Sequence, residues 1–277
     1  MRPFDFPVDT QTLSDIWQTF INTGRITSAQ RDALDPNVLL SWQRCFSRLN
    51  PRAKPRLSPI SSEALPSLLR TQNDLITMAT PIIEDIHQFI AGSECIVFIT
   101  DGSGCNLYMV GDDGALDMVE ALGRGQGAYW SEGQMGTNAL GIALLSAMPA
   151  QVVGPEHYYD AYHHLFDSAA PIHNVQGRIL GAIGICGPVE GANPHTSALV
   201  MSAALAIGNQ IQAAWSLQEA NHRLSEVNAV LAAISEGVLA WNCEGEIHQV
   251  NERASTILGI NPVTSLGHQI DDVLALP

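Results

Sequence analysis

A stretch of about 40 residues from Pro194 can form one uninterrupted helix, and its apolar pattern constrains the fold more than any other feature. In its second part, apolar residues recur at alternating steps of three and four, which is the pattern of a coiled-coil seam. No neighbouring segment could cover such a seam, so we expect a parallel dimer. The residues predicted to form the dimer interface are Leu217, Leu224, Val227, Leu231 and Ile234.

The first part of the same helix carries an apolar repeat of its own. That repeat consists of Val200, Ala204, Ile207, Ile211 and Ala214. The join to Leu217 is a three-residue step where four is due, which overwinds a coil locally and offers two registers. An amphipathic helix lying on a sheet explains the first repeat, and a continuous coiled coil is the alternative.

Before this helix, the apolar period changes to that of paired strands. Cys95–Thr100 is typical of a buried strand, Asp101 and Gly102 begin a turn, and Asn106–Val110 returns as the antiparallel partner. A second hairpin is predicted from Ser168–His173 and Ile179–Cys186. Strands and helices in this order predict an α+β fold with an antiparallel sheet.

The organisation along the chain predicts four segments. Residues 1–72 are expected to be helical, with a helix over Thr10–Thr23 ended by Gly24. Residues 73–193 are expected to form the sheet domain, and residues 194–234 the linker helix, part of which packs on that domain. Residues 235–277 show another strand, turn and strand, and the sequence ends after about half of such a sheet domain.

Charge is distributed unevenly along the 277 residues, which carry a net formal charge of −15. Residues 1–70 hold 9 Lys and Arg against 6 Asp and Glu, whereas residues 71–277 hold 4 against 22. Such a chain is poorly suited to holding nucleic acid through phosphate neutralisation. The only lysine is Lys54, which excludes a Walker-type phosphate loop and with it an ATPase. The basic stretch Arg52–Arg56 is read as a solvated linker, with a DNA contact as the alternative.

Cysteine usage indicates a reducing compartment. The five cysteines form no Cys-x-x-Cys pair, and neither an apolar signal segment nor a membrane span is evident, so we expect a cytoplasmic protein. The longest apolar stretch is too short to cross a bilayer.

Four motifs carry a family resemblance. They are Trp130-Ser-Glu-Gly-Gln-Met-Gly-Thr-Asn-Ala-Leu-Gly, Glu156-His-Tyr, Ala170-Pro-Ile-His and Gly181-Ala-Ile-Gly. Together they resemble the GAF sensor domain of sigma-54-type bacterial transcriptional activators, in particular the group of the dihydroxyacetone-kinase operon and acetoin regulators. Ser235–Trp241 and Asn251–Ala254 resemble the opening of a PAS domain, in the order that those regulators use.

The resemblance implies a sensory region of a transcriptional activator, covering about residues 36–277. Full members of this group continue into a AAA+ ATPase and a helix-turn-helix, and neither is present in these 277 residues. The dihydroxyacetone regulators imply recognition of dihydroxyacetone-kinase subunits, whereas the acetoin regulators imply a small metabolite, and the sequence leaves both open. The relay is expected to be a homodimeric helix, with no direct nucleic-acid or membrane binding by this region.

A ligand pocket of the GAF type would lie between the segment at 129–138, the segment at 157–164 and one strand of the sheet. The candidate residues are Tyr129, Trp130, Glu132, Thr137, Asn138, His157, Tyr158, His164 and Ile183. Tyrosine and histidine side chains offer hydrogen bonds in an otherwise apolar cavity. The alternative is structural: Thr137 or Asn138 caps a helix, Trp130 belongs to the core, and the histidines are packing residues.

No cofactor or metal is expected. His157, His163 and His164 lack the i, i+4 spacing of a helical metal site, and the loop from Gly123 to Gly127 follows a helix, unlike a dinucleotide fingerprint. The alternative function is a redox enzyme of the GAF methionine-sulfoxide reductase type. It would use Cys95, Cys105 and Cys186. A reactive thiolate needs a positive neighbour, and Arg124 and Arg178 are the only basic residues between 71 and 222, so we expect no catalytic residues.

Overall fold

A computed structural model describes residues 9–55, 58–233 and 236–274 of the chain, without the side chains of 231–233. The chain divides into two compact units, Met1–Gln212 and Ala213–Pro277. Within the described residues, no helix is both long and apolar enough to cross a membrane.

Three helices open the first unit, and polar caps set their limits. Helix α1 (Thr10–Thr23) is capped by Asp9 and ends at Gly24, which adopts the left-handed conformation. A short helix α2 (Ser28–Asp32) follows. Helix α3 (Pro36–Phe46) starts with Pro36 in its first turn, and the Asp35 side chain accepts from the Asn37 N–H.

Two further helices precede the sheet. They are α4 (Leu65–Thr71) and α5 (Asn73–Ile90). The apolar pattern from Ser61 to about Phe89 predicts a helical stretch with breaks at Pro66 and Pro81. The helices instead separate at Gln72, and Pro81 lies within α5. Pro66 stands in the first turn of α4, where its missing N–H costs no hydrogen bond.

The sheet has five antiparallel strands in the order β2-β1-β5-β4-β3. The strands are β1 (Ile96–Asp101), β2 (Asn106–Gly111), β3 (Ala150–Val153), β4 (Leu165–His173) and β5 (Ile179–Pro188). The predicted mixture of helices with an antiparallel sheet is confirmed. Between β2 and β3 lie the helices α6 (Asp113–Ala121), α7 (Glu132–Met135) and α8 (Ala139–Ser146).

Side chains from both faces of the sheet are buried, and each face supports its own apolar cluster. One cluster joins the N-terminal helices and α8 to the face that carries Phe98, Ala182 and Cys186. The other joins α5 and the long C-terminal helix to the face that carries Ile183 and Ile185. The sheet therefore lies between two helical layers.

The long helix α9 (Pro194–Ala233) contains 40 residues and has two different environments. In its first part Val200, Ala204, Ile207 and Ile211 are buried in the cluster that covers the sheet. From Leu217 onward, the described side chains are exposed. The second unit also holds a two-stranded sheet and three short helices. These are β6 (Leu239–Trp241), β7 (Ile247–Val250), α10 (Glu252–Leu258), α11 (Pro262–Ser265) and α12 (Ile270–Leu274).

Candidate functional site

Trp130 lies at the centre of the region in which a ligand pocket is predicted. Its backbone N–H donates to the Gly104 carbonyl at 2.8 Å, which ties the loop after α6 to the turn after β1. Its ring is fully buried and packs on Phe98, with 4.2 Å between ring centroids. Its indole Nε1 donates to the Arg124 carbonyl at 2.9 Å. Trp130 is thus a core residue that also places Arg124.

Arg124 occupies the interior between Trp130 and the sheet, although its side chain carries a charge. The residue is fully buried, and its guanidinium lies over the rings of Trp130 at 4.2 Å and Tyr162 at 5.2 Å from their centroids. Nη2 donates to both carboxylate oxygens of Asp167, at 3.4 and 3.3 Å. The sequence identifies Arg124 only as one of the few Arg or Lys residues in its part of the chain and does not place it in the site.

Asp167 joins Arg124 to His157 inside the domain. Nε2 of His157 lies 3.1 Å from the Asp167 carboxylate, and Nδ1 lies 3.0 Å from the Gly154 carbonyl. Burial acts to raise the pKa of Asp167, but the Arg124 charge and the contact with His157 outweigh it and hold the pKa well below its usual range. The carboxylate is therefore ionised at neutral pH. We call Arg124, Asp167 and His157 the buried triad.

The buried triad fills the space in which a ligand of the predicted pocket would lie. Besides Trp130 and Tyr162, Arg124 reaches β5, where Nη1 lies 3.6 Å from the Cys186 sulfur. Of two surface clefts, of about 220 and 260 Å³, the first includes Glu132 in its lining, and neither includes Trp130 or His157. The interior of this face is packed by the protein's own side chains.

Glu132 and Thr137 face helix α3. The Ser41 hydroxyl donates to Glu132 at 2.6 Å and lies 2.7 Å from the Thr137 hydroxyl. Arg44 donates twice to the Glu132 carboxylate, at 2.7 Å each. Asn138 caps α8, because its side chain accepts from the Gly141 N–H at 2.8 Å. Ser41 and Arg44 thereby attach helix α3 to the sheet domain.

The remaining predicted pocket residues are dispersed. Ile183 lies on the opposite face of the sheet, in the cluster with α5 and α9, because side chains alternate along a strand. It is not brought together with Trp130, which corrects the predicted lining. Tyr158 donates through its hydroxyl to the Leu49 carbonyl at 3.3 Å. His164 is exposed, and Tyr129 is partly exposed and pairs with Cys105 through a backbone bridge.

The three cysteines of the redox alternative are buried free thiols. Burial raises the pKa of Cys105 to about 11 and that of Cys186 well above its ordinary value. Positive groups are scarce here, as the sequence indicates, but Cys186 does have one as a neighbour, since Nη1 of Arg124 lies 3.6 Å from its sulfur. Burial and the nearby Asp167 carboxylate still raise the Cys186 pKa, so the thiolate is disfavoured. The geometry does not support a thiol relay.

Within the described ranges, no group of three or more His, Cys, Asp or Glu side chains is arranged to hold a metal ion. The predicted dimer seam is exposed where side chains are described: Leu217 is 64%, Leu224 61% and Val227 54% exposed. Ile234 and the side chain of Leu231 lie outside the described residues.

The chain matches one protein family over most of its length. The family described as "MimR, N-terminal domain" matches residues 7–212. A PTS-dependent dihydroxyacetone kinase operon regulatory protein of Escherichia coli K12 is 28% identical over 258 residues, which are 93% of this chain and 39% of that protein. The acetoin dehydrogenase operon transcriptional activator AcoR of Bacillus subtilis is 31% identical over 75% of this chain and 33% of its own length.

A solved structure also shares the fold. The crystal structure of the E. coli DhaR(N)–DhaL complex contains a chain with a TM-score of 0.81 and 27% identity, and the match covers 86% of this chain and 81% of that chain. This chain therefore spans about two fifths or less of the curated regulators it resembles.

Proposed function

The chain belongs to the MimR N-terminal domain family, and from this premise we propose that it is the sensory region of a transcriptional activator. Its relatives are regulatory proteins of operons for dihydroxyacetone kinase and acetoin dehydrogenase. This chain corresponds to the segment of those regulators that the match covers. Its task is to receive a metabolic signal and to pass it to the regions that follow in full-length relatives, which resemblance assigns to a AAA+ ATPase and a helix-turn-helix.

The signal arrives through a partner protein, and the packed interior is the observation that carries this proposal. A small-molecule site is a concave, largely preformed cavity. Here Arg124 fills that position, paired with Asp167 and enclosed by aromatic rings. Admitting a metabolite would break a buried ion pair, whose rupture costs about 3–5 kcal/mol. A partner that docks on the outer surface incurs no such cost.

The proposed partner is a dihydroxyacetone-kinase subunit of the DhaL kind. Support comes from the fold shared with a chain of the DhaR(N)–DhaL complex, at a TM-score of 0.81. Further support comes from the match to the dihydroxyacetone kinase operon regulator over 93% of this chain. A small metabolite, as in the acetoin regulators, remains the opposing hypothesis, and the experiment below separates the two.

The proposal also assigns the parts of the chain to known domain types. Residues 73–193 form a GAF domain behind the helical segment 1–72, and residues 235–277 form the N-terminal half of a PAS domain. The five-stranded antiparallel sheet and the positions of the family motifs support the first assignment. The strand, turn and strand of β6 and β7 support the second. Helix α9 in 194–234 links them and dimerises through its exposed seam.

Calorimetric titration of residues 1–277 with DhaL, and separately with dihydroxyacetone and acetoin, tests this function. We expect saturable binding of DhaL and no heat of binding from either metabolite. Arg124→Met is the control for ligand binding in the interior of the domain. It is compared with the wild-type chain under conditions in which the variant remains folded. Binding of a metabolite to the wild-type chain, lost in that variant while circular dichroism is unchanged, together with no binding of DhaL, would establish a metabolite sensor instead.

A further inference from the structure

Positive charge in this protein is concentrated in one segment. Residues 36–55 contain Arg44, Arg48, Arg52 and Lys54 and no aspartate or glutamate, whereas residues 71–277 carry 22 acidic against 4 basic residues. Like charges held together cost free energy through repulsion. A cluster of this kind in an otherwise acidic protein calls for a compensating negative partner.

Helix α3 and the turn after it bring two of these residues, Arg44 and Arg48, to one surface cleft. Arg44 and Leu40 share a helix face because they are four residues apart. Arg48 follows the end of the helix, and together with Arg44 it lines a cleft of about 220 Å³. Cys45, Leu49, Glu132 and Gly133 form the rest of its lining. We call Arg44, Arg48, Arg52 and Lys54, with this cleft, the basic cleft surface.

Most of this charge is not neutralised by the protein itself. Arg44 is paired with Glu132, at 2.7 Å. Arg48, Arg52 and Lys54 are exposed, and the closest recorded polar contact among their side chains is that of Arg52 with the Gln18 amide oxygen, at 3.4 Å. In the described part of the chain, no carboxylate is recorded within ion-pair distance of Arg48 or Lys54. Arg48, which lines the cleft, and Lys54, which follows in the same exposed segment, are thus available to a ligand.

We infer that the basic cleft surface docks an acidic segment of the partner protein, with a carboxylate entering the cleft beside Arg48. This inference rests on the proposed function, because it names the surface on which the signalling protein binds. Arginine suits the role, since its planar fork binds a carboxylate through two hydrogen bonds.

An exposed apolar side chain beside the charge favours a protein partner over DNA. Leu40, on the same helix face as Arg44, is 51% exposed, and interfaces between proteins combine such apolar contacts with arginines. Duplex DNA is held largely through phosphate contacts, for which this surface offers four Arg and Lys side chains, one of them paired with Glu132. The net charge of −15 opposes DNA further.

Two variants with equal net charge test the docking surface. Arg48→Glu with Lys54→Glu reverses the charge at the cleft and in the segment that follows it, and Arg70→Glu with Arg178→Glu reverses two exposed arginines elsewhere. Dissociation constants for DhaL are measured by calorimetry at several salt concentrations, with thermal unfolding as the check on folding. We expect the cleft variant to bind at least tenfold more weakly and with a smaller salt dependence, and the control to bind within about twofold of wild type.

The outcomes separate the two proposals. If wild-type protein does not bind DhaL, the proposed function fails. If wild type binds and both variants bind equally well, the function stands and the docking surface is overturned. If wild type instead retards duplex DNA at physiological salt and the cleft variant does not, the surface is a nucleic-acid site and the inference is wrong.

Discussion

Arg124 is a charged residue placed in the interior of this domain. Among the described side chains its Nε has no hydrogen-bond partner, yet the guanidinium is held by Asp167 and two aromatic rings. Its partner stands 43 residues away in the sequence, so no local pattern indicates that the charge is buried. The sequence does show a lone arginine in an acidic, apolar stretch, and that is the one feature that could have identified it.

Replacing Arg124 by Met should strongly destabilise the first unit. The variant leaves the Asp167 carboxylate buried beside His157 and the Cys186 thiol but without the arginine, and an uncompensated buried charge costs about 3–5 kcal/mol. Urea unfolding followed by circular dichroism measures the loss. The exposed Arg178→Met is the matched control and should change the free energy of unfolding by less than about 0.5 kcal/mol. Equal losses in the two variants would contradict a structural ion pair at Arg124.

His163 should make stability depend on pH. Burial lowers its pKa from 6.5 to about 4, and its ring packs edge-on against Trp17 at 4.6 Å. A depressed folded-state pKa means that the neutral form is favoured in the folded protein, so the stabilisation is complete above pH 6.5 and is lost as pH falls towards 4. Asp167 does not titrate in this window, because its pKa lies far below it.

The pH series is measured as the urea midpoint at intervals from pH 7.5 to 4.5. His163→Gln should flatten the decline below pH 6.5, although it also lowers stability at pH 7 by removing the contact with Trp17. The adjacent His164→Gln is the control, since His164 is exposed. A slope that is unchanged in His163→Gln would show that another group titrates in this range.

At the scale of elements, local chemistry determines where most helices begin and end, and tertiary packing determines which face of an element is buried against which partner. Helix α1 runs over the predicted Thr10–Thr23 because an aspartate caps its start and a glycine ends it. The face to which Ile183 points could not be read from the sequence. Strand β5 is buried on both sides, so its apolar residues show no alternation that would distinguish one face from the other.

The same contrast applies to helix α9. Its first apolar repeat is buried against the sheet, whereas its second presents Leu224 and Val227 to solvent. Exposed leucine and valine at coiled-coil spacing support the proposed dimer. Both apolar repeats could be read from the sequence, because residues on one side of a helix recur at the same spacing along its whole length. Which repeat would find a partner within the chain depends on where the sheet lies.

Charged residues in the seam should therefore separate the dimer. Leu224→Glu with Val227→Glu places four like charges in the interface of two chains, and desolvating them costs several kcal/mol. Gln218→Glu with Ser225→Glu adds the same net charge on the opposite side of the helix and should leave the assembly intact. Light scattering coupled to size exclusion reports the mass. A seam variant that keeps the mass of a dimer would place the interface elsewhere.

At the scale of the whole molecule, the first unit contains the apolar residues that stabilise it. The last buried side chain in its two clusters is Ile211, one residue before the division at Gln212. The predicted seam begins after that point, at Leu217. If the chain dimerises as proposed, folding of the first unit and assembly of the dimer use separate parts of one helix.

Truncation after Gln212 should yield a folded monomer that still binds DhaL. All buried residues of the sheet clusters remain, so the unfolding temperature should stay within a few degrees of that of the same unit in the full chain. Truncation after Ala198 removes Val200, Ile207 and Ile211 from the cluster over the sheet. Full burial of each such side chain contributes about 1.5–3 kcal/mol, and the total stability of a domain is only about 5–15 kcal/mol, so this shorter chain should not fold. Circular dichroism and light scattering distinguish the two. A chain of residues 1–212 that is dimeric would place dimerisation within the first unit, and one that is unfolded would show that the second unit is needed for its stability.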